Sequence, residues 1–236
     1  NRKAEKNNQA VAAEAGLTLP FLYFDDNTGI KISDYKSNLV ALESNQLISK
    51  QYINRALITL KELHQSDIIF EQCFDHYSFF NEIHKEKEYK EMAKIGNYLL
   101  QKIEAINQKL VPCHKDIYGP NFVLIDGEMS LIDWEYSGME SKFFDYGDLC
   151  LQQNIQEDQR KDLFYSLKLQ EGGDDQVLWN LYRYLSSITW GLWATRKGAL
   201  DQEVDKDYLK LGKNKIKSVF EAVNTENFEK QLSRKY

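Results

Sequence analysis

Residues 110–138 read LVPCHKDIYGPNFVLIDGEMSLIDWEYSG, and the order of residue types in this stretch decides the fold. Its loop is His114-x-Asp116-x-x-x-x-Asn121, followed by the apolar strand Phe122 to Ile125, a turn at Asp126 and Gly127, and a returning strand Met129 to Trp134. An Asp-Gly pair between two such runs is a strong hairpin signal. Antiparallel strands bring their far ends together, so the hairpin predicts Asp133 beside Asn121. Phosphoryl transfer needs this set. One carboxylate orients the attacking hydroxyl and accepts its proton, while an amide and a second carboxylate hold Mg²⁺ on the nucleotide phosphates. Turn chemistry alone accounts for His, Asp and Asn one at a time. It does not account for the two strands and the terminal Asp that follow them.

On either side of this stretch the periodicity is helical. Arg2 to Ala15 is rich in Ala, Glu and Lys and stops at Gly16, which predicts a helix with a glycine end. Phe21 to Phe24, a turn at Asp25 to Gly29 and a return through Ile30 to Ile32 predict a second hairpin. Apolar residues at helical spacing mark Ser49 to His64 and Tyr89 to Leu110. Helical segments are also expected around Asp145 to Gln153, Glu157 to Leu169, Val177 to Thr195 and Tyr208 to Val223.

The 236 residues, 42% of them hydrophobic, suffice for a core of one large domain or two small ones. A formal net charge of −6 offers no basic field for a nucleic-acid backbone, so no nucleic-acid partner is expected. Three cysteines without C-x-x-C spacing argue against a disulfide framework and a thiolate zinc site, and point to a reducing, cytoplasmic setting. No stretch approaches the roughly 20 apolar residues of a membrane-spanning helix. His64, His76 and His84 show no metal-ligand spacing and receive no role.

The segment HKDIYGPNFVLIDGEMSLIDWEYSGMESKFFDYGDLC, residues 114–150, resembles the catalytic segment of the choline/ethanolamine kinases, in the aminoglycoside-phosphotransferase-like branch of the kinase superfamily. The likeness extends to NRKAEKNNQAVAAEAGL as a first-lobe helix, FLYFDDNTGIKIS as strands leading to the interlobe hinge, and YRYLSSITWGLWA as a late tryptophan-bearing helix. The resemblance implies an α+β, protein-kinase-like two-lobe fold. An incomplete first lobe would span residues 1–35, and a mostly helical second lobe with the catalytic hairpin residues 36–236.

It also implies roles. Asp116 becomes the catalytic base, and Asn121 and Asp133 the Mg²⁺ ligands. Glu5 becomes the helix glutamate that pairs with a nucleotide-binding lysine. Lys31, Ile32 and Ser33 lie near the adenine of ATP, and His114 and Asp145 support the loop. Glu135 is placed beside the metal or the substrate, the alternative being a solvated acid at the strand end. Lys115, where the family usually has a small polar residue, is expected to face solvent.

The acceptor implied is choline, whose quaternary ammonium has no N–H to donate and is recognised by aromatic faces and carboxylates. Trp179, Tyr182, Ser186, Trp190 and Trp193 share one stripe of the late helix, and such stripes are ordinarily packed core. The resemblance singles out Trp190 and Trp193 as the choline wall, with Tyr182 beside them. Tyr208 is the nearest aromatic on the last helix, but Leu211 occupies the matching turn. Ethanolamine, thiamine and an aminoglycoside are alternative acceptors for the same chemistry.

A kinase also needs a phosphate lid and a lysine that bridges the phosphates to the helix glutamate. The chain contains no G-x-G and opens on Asn1, so a preceding segment is expected. The other reading is a catalytically dead, kinase-shaped binding module.

Overall fold

The computed structural model describes residues 1–153, 155–200, 206–223, 228 and 232. The elements run α1 (Arg2–Glu14), β1 (Phe21–Phe24), β2 (Lys31–Ser33), β3 (Val40–Ala41), α2 (Lys50–Gln65), α3 (His76–Ile83), α4 (Lys90–Glu104) and β4 (Val111–Cys113). A single 3₁₀ turn, Gly119–Asn121, precedes β5 (Phe122–Ile125), β6 (Glu128–Leu131), β7 (Gly138–Glu140), α5 (Lys142–Gln152), α6 (Glu157–Ser166), α7 (Asp174–Leu200) and α8 (Lys206–Val223). Among the described residues no helix is long and apolar enough to cross a membrane.

Packing divides the chain into two units: Asn1–Phe74 with Gln108–Leu167, and Asp75–Asn107 with Lys168–Tyr236. Within the first unit, α1 and the segment after it bond directly to the central hairpin and the turn beyond it. Asn8 donates to Ser137 Oγ at 2.9 Å, Ser130 Oγ donates to the Leu17 carbonyl at 3.1 Å, and the Thr18 hydroxyl donates to the Leu131 carbonyl.

In the first unit the predicted hairpin forms, pairing Phe122 with Leu131 and Ile125 with Glu128, and β3 lies antiparallel on the outer side of β5. Its two turn residues, Asp126 and Gly127, have φ of 52° and 86°, the left-handed pair that suits the twist of a two-residue hairpin. The returning strand ends at Leu131, earlier than its apolar pattern suggests, because Asp133 has a φ of 68° and cannot continue an extended ladder. β4 and β7 form a separate two-stranded ladder, with Val111 opposite Glu140 and Cys113 opposite Gly138. Neither strand was expected. Three residues are too few to show a period, and Pro112 reads against a strand unless the strand is an edge.

The second unit is helical. Asp75 caps α3 by accepting from the Ser78 amide at 2.8 Å, and Phe80 buries its ring while Met92, Ala93, Leu99 and Ile103 of α4 form a buried stripe. α7 packs along α8, where Ser187 donates to the Lys215 carbonyl at 3.2 Å, and Arg196 reaches back to Glu82 at 2.7 Å. α3 escaped the sequence reading because eight residues give too short a run for the helical period to stand out.

Candidate active site

The loop between β4 and β5 hangs from one buried carboxylate. Asp145, in the first turn of α5, accepts the backbone N–H of His114 at 3.1 Å on one oxygen and that of Lys115 at 2.8 Å on the other. His64 of α2 bonds the first oxygen through Nε2 at 2.8 Å. Burial alone would raise the Asp145 carboxyl. The bond and charge of His64 and the Lys115 amide outweigh burial and hold it below the usual carboxylate range. Asp148, one turn further along α5, accepts from the Ile117 amide at 2.6 Å.

His114 orients the backbone of Asp116. Its Nε2 lies 2.9 Å from the Ile132 carbonyl, which can only accept, so the ring carries its proton there. Nδ1 is therefore free to accept the Asp116 backbone N–H at 3.3 Å. The ring rests edge-on against Trp134 with centroids 4.8 Å apart. Asp116 is thus held at its backbone by His114 and at its carboxylate by Asn121, whose Nδ2 donates to Oδ2 at 2.8 Å and to the Asp116 carbonyl at 3.0 Å.

Asp133 is delivered by the strand that returns. The Ile132 amide donates to the Asn121 carbonyl at 2.9 Å, which fixes the backbone entering Asp133 against the residue that closes the loop. Glu135 keeps an exposed edge, yet the protein around it desolvates its carboxyl and raises it above the usual range. The negative charges of Asp133, Glu5 and Asp116 push it further in the same direction. The four acids therefore share one region of negative potential. Burial, followed by the charges of Glu135 and Asp116, likewise raises the Tyr136 phenol well above its ordinary value.

This donor set fits a hard divalent cation. Carboxylate and amide oxygens are what Mg²⁺ takes, and the Asn121 nitrogen is already engaged with Asp116, which leaves its oxygen as the ligand side. Beyond burial, the charges of Asp133 and Asp116 raise the neighbouring Glu135 carboxyl, and a cation bound among these acids would relieve that repulsion. A second cluster, His64, Cys113 and Asp145, has ligand atoms within 4.8 Å of one another. It does not fit a metal. Both Asp145 oxygens hold the loop, and burial keeps the Cys113 thiol well above its usual range and so protonated.

Two residues depart from expectation. Lys115 does not face solvent: it is 1% exposed, its Nζ donates to the Phe74 carbonyl at 2.9 Å and lies 4.0 Å from Glu140, and the Phe74 and Phe144 rings flank it. A positive φ of 69° turns its side chain inward from the loop, and burial pulls the ammonium below its ordinary range. His64 was given no role and is the residue that clamps Asp145. The signal for it was a histidine ending the apolar stripe of α2 beside buried Leu60 and Leu63, which periodicity alone reads as packing.

Of the residues assigned to the nucleotide, Glu5 pairs with Lys31 at 3.3 Å, and Lys31 also donates to Gln9 at 3.1 Å. Lys31, Ile32 and Ser33 form the exposed strand β2. Of those assigned to the acceptor, all lie on α7. Tyr182 is 1% exposed and Trp190 6%, both within the packed side of the helix, whereas Trp193 is only partly buried. Of the three rings, Tyr182 and Trp190 lie closed in the helix packing and Trp193 keeps an open face.

The choline/ethanolamine kinase family matches residues 28–170. Protein LicA of Haemophilus influenzae is 25% identical over 213 residues, which cover 84% of this chain and 80% of that protein. Among solved structures, a choline/ethanolamine kinase family protein from Mesorhizobium loti superposes with a TM-score of 0.82 at 22% identity, covering 98% of this chain and 82% of that one. Choline kinase LicA from Streptococcus pneumoniae superposes with a TM-score of 0.77 at 21% identity, covering 94% and 81%. A structure of LicA in complex with AMP gives the same score of 0.77. At these identities the superpositions establish the protein-kinase-like α+β fold. The family match runs through the whole of the loop and hairpin described above, and on that ground this chain belongs to the choline/ethanolamine kinase family, phosphotransferases that act on an alcohol group.

Proposed function

We propose that this protein transfers the γ-phosphoryl group of ATP to the hydroxyl of choline in a Mg²⁺-dependent reaction. The observation that carries the reading is the Asp116 carboxylate, held at 2.8 Å by Asn121 and aimed by a His114 ring of defined tautomer. A base fixed in this way orients the acceptor hydroxyl and takes its proton as the bond to phosphorus forms, and positioning is the main contribution a protein makes to this reaction. Asn121 and Asp133 would hold the metal, whose role when bound is to neutralise charge on the phosphates. Glu135 lies in the same region of negative potential, suited to a second metal contact or to the cationic acceptor.

Nucleotide binding is supported by the AMP complex of LicA. The proposed contacts are Glu5 with Lys31, and the β2 backbone from Lys31 through Ile32 to Ser33. Trp190 and Trp193 are proposed to recognise the ammonium of the acceptor, with Trp193 offering the open ring. With three free cysteines, two of them buried, the protein suits the reducing cytoplasm.

Ethanolamine is the second reading, and one observation favours it: the primary ammonium of Lys197 rests on the Trp193 ring, so the ring tolerates an N–H cation. A panel of choline, ethanolamine, thiamine and an aminoglycoside, each incubated with ATP and Mg²⁺ and followed by product mass, tests the proposal. Choline should be phosphorylated fastest, and Asp116→Asn should stop the reaction. Preferential turnover of thiamine or the aminoglycoside would refute the choice of acceptor.

A further inference from the structure

The open aromatic faces on α7 and α8 already hold a cation, and it belongs to the protein. Lys197 Nζ lies 4.8 Å from the centroid of the Trp193 ring and 5.0 Å from that of Tyr208. Those two rings meet edge to face, 5.7 Å apart at 76°, so they form two walls of a corner and not a flat stack. Trp193 in turn meets Trp190 at 5.8 Å and 82°, which steadies the inner wall. Lys197 follows Trp193 by one helical turn, the spacing at which side chains on a helix surface meet. Its side chain is exposed, while Trp193 and Tyr208 are each partly buried.

We propose that Lys197 is an internal competitor for the acceptor's ammonium group. Its own ammonium fills the Trp193–Tyr208 corner until an amino alcohol displaces it, so this lysine sets the affinity for the acceptor. The inference rests on the reading of the α7 aromatics as the acceptor site.

Both cations seek the same ring faces, and two like charges a few ångströms apart repel, so occupancy is exclusive. Displacement is not prohibitive. An exposed lysine has a flexible four-carbon stem, and its ammonium recovers full hydration when it swings into water. The competition acts on the unliganded protein. It therefore lowers affinity by one common factor for every cation that needs both rings, whatever the rest of the ligand.

The test is a ligand-observed NMR titration of the protein with tetramethylammonium chloride, and separately with choline chloride, at constant ionic strength. Lys197→Met should tighten both ligands by the same factor, roughly two- to fivefold, which corresponds to loss of one exposed cation–π contact. Lys197→Arg, which keeps a cation able to stack on the rings, should stay within about twofold of the unmodified protein. Trp193→Ala should weaken both ligands at least tenfold. If Lys197→Met binds no tighter while Trp193→Ala still loses binding, the competitor role is overturned and the acceptor site stands. If neither ligand depends on Trp193, the acceptor assignment fails, and the competitor role fails with it.

Discussion

The amide of Asn121 holds the carboxylate of Asp116, with Nδ2 donating at 2.8 Å to Oδ2 and at 3.0 Å to the carbonyl of the same residue. One side chain thereby locks the rotamer of the proposed base and leaves its own oxygen available to the proposed metal. If Asp116 aims the acceptor hydroxyl and Asn121 holds the cation, as proposed, this bond couples the two roles.

Asp116→Asn keeps the size and most of the bonding of the side chain but cannot take the hydroxyl proton. The expected result is a fall in kcat of about 10²- to 10⁴-fold, with nucleotide affinity changed by less than about threefold. Single-turnover kinetics beside nucleotide titration will separate the two. Near-normal turnover in the variant rules out Asp116 as the base.

The mutual repulsion around Glu135 predicts stabilisation by a divalent cation. MgCl₂ at millimolar concentration should raise the melting temperature of the protein by about 2 to 5 °C, and Asp133→Asn should remove most of that gain. Differential scanning fluorimetry with and without Mg²⁺ reads both. An undiminished shift in the variant would place the cation elsewhere.

Asp145 gives a pH signature whose sign follows from its lowered carboxyl. A depressed acid stabilises the folded state fully above its unfolded value of about 3.9, and the contribution is lost as pH falls through the lower folded value. Asp145→Asn should cost about 3 to 5 kcal/mol near neutrality, since it leaves a loop amide and His64 without their charged partner. The gap from the unmodified protein should hold between pH 5 and 8, on the order of that cost, and narrow below about pH 4. Urea melts across this range measure it, and a gap that widens in acid would contradict the account.

Gly119, in the 3₁₀ turn, allows a close backbone approach: an added Cβ would lie 2.7 Å from the Glu43 carbonyl oxygen and 2.8 Å from Ser44 Cα. Neither atom is the tip of a flexible side chain, so Gly119→Ala must displace the loop that carries Asn121. The expected cost is about 1 to 3 kcal/mol of stability and a larger proportional loss of kcat than of nucleotide binding. An alanine variant of normal stability and activity would show that the segment at Glu43 yields.

Trp193→Ala should raise the KM for choline by about one to two powers of ten with kcat little changed, as removal of a cation–π wall requires. Steady-state kinetics with choline as the varied substrate decide this. An unchanged KM removes Trp193 from the acceptor site.

Much of the candidate site was legible in the chain because its parts are near neighbours in sequence. The spacing of Asp116 and Asn121, the Asp126–Gly127 turn and the apolar runs on either side are local signals, and a hairpin needs little else to bring its ends together. Lys115 was misread because the exposure of a loop lysine depends on a positive φ and on Phe74, Phe144 and Glu140, none of which a local pattern reveals. His64 was missed for a related reason, since its partner Asp145 lies far along the chain, on α5. The apolar stripe of α7 marks Tyr182 and Trp193 alike, but only packing separates a ring closed in the core from one with an open face.

Residue order alone therefore determined the candidate loop residues Asp116 and Asn121 and the hairpin that brings Asp133 back beside them, since those depend on short-range geometry and turn stereochemistry. Tertiary structure alone decided how the loop is suspended, which acids share one field, and which ammonium rests on the Trp193 ring. The physical reason is distance: desolvation, like-charge repulsion and ring contact act through space among groups that the linear chain keeps apart.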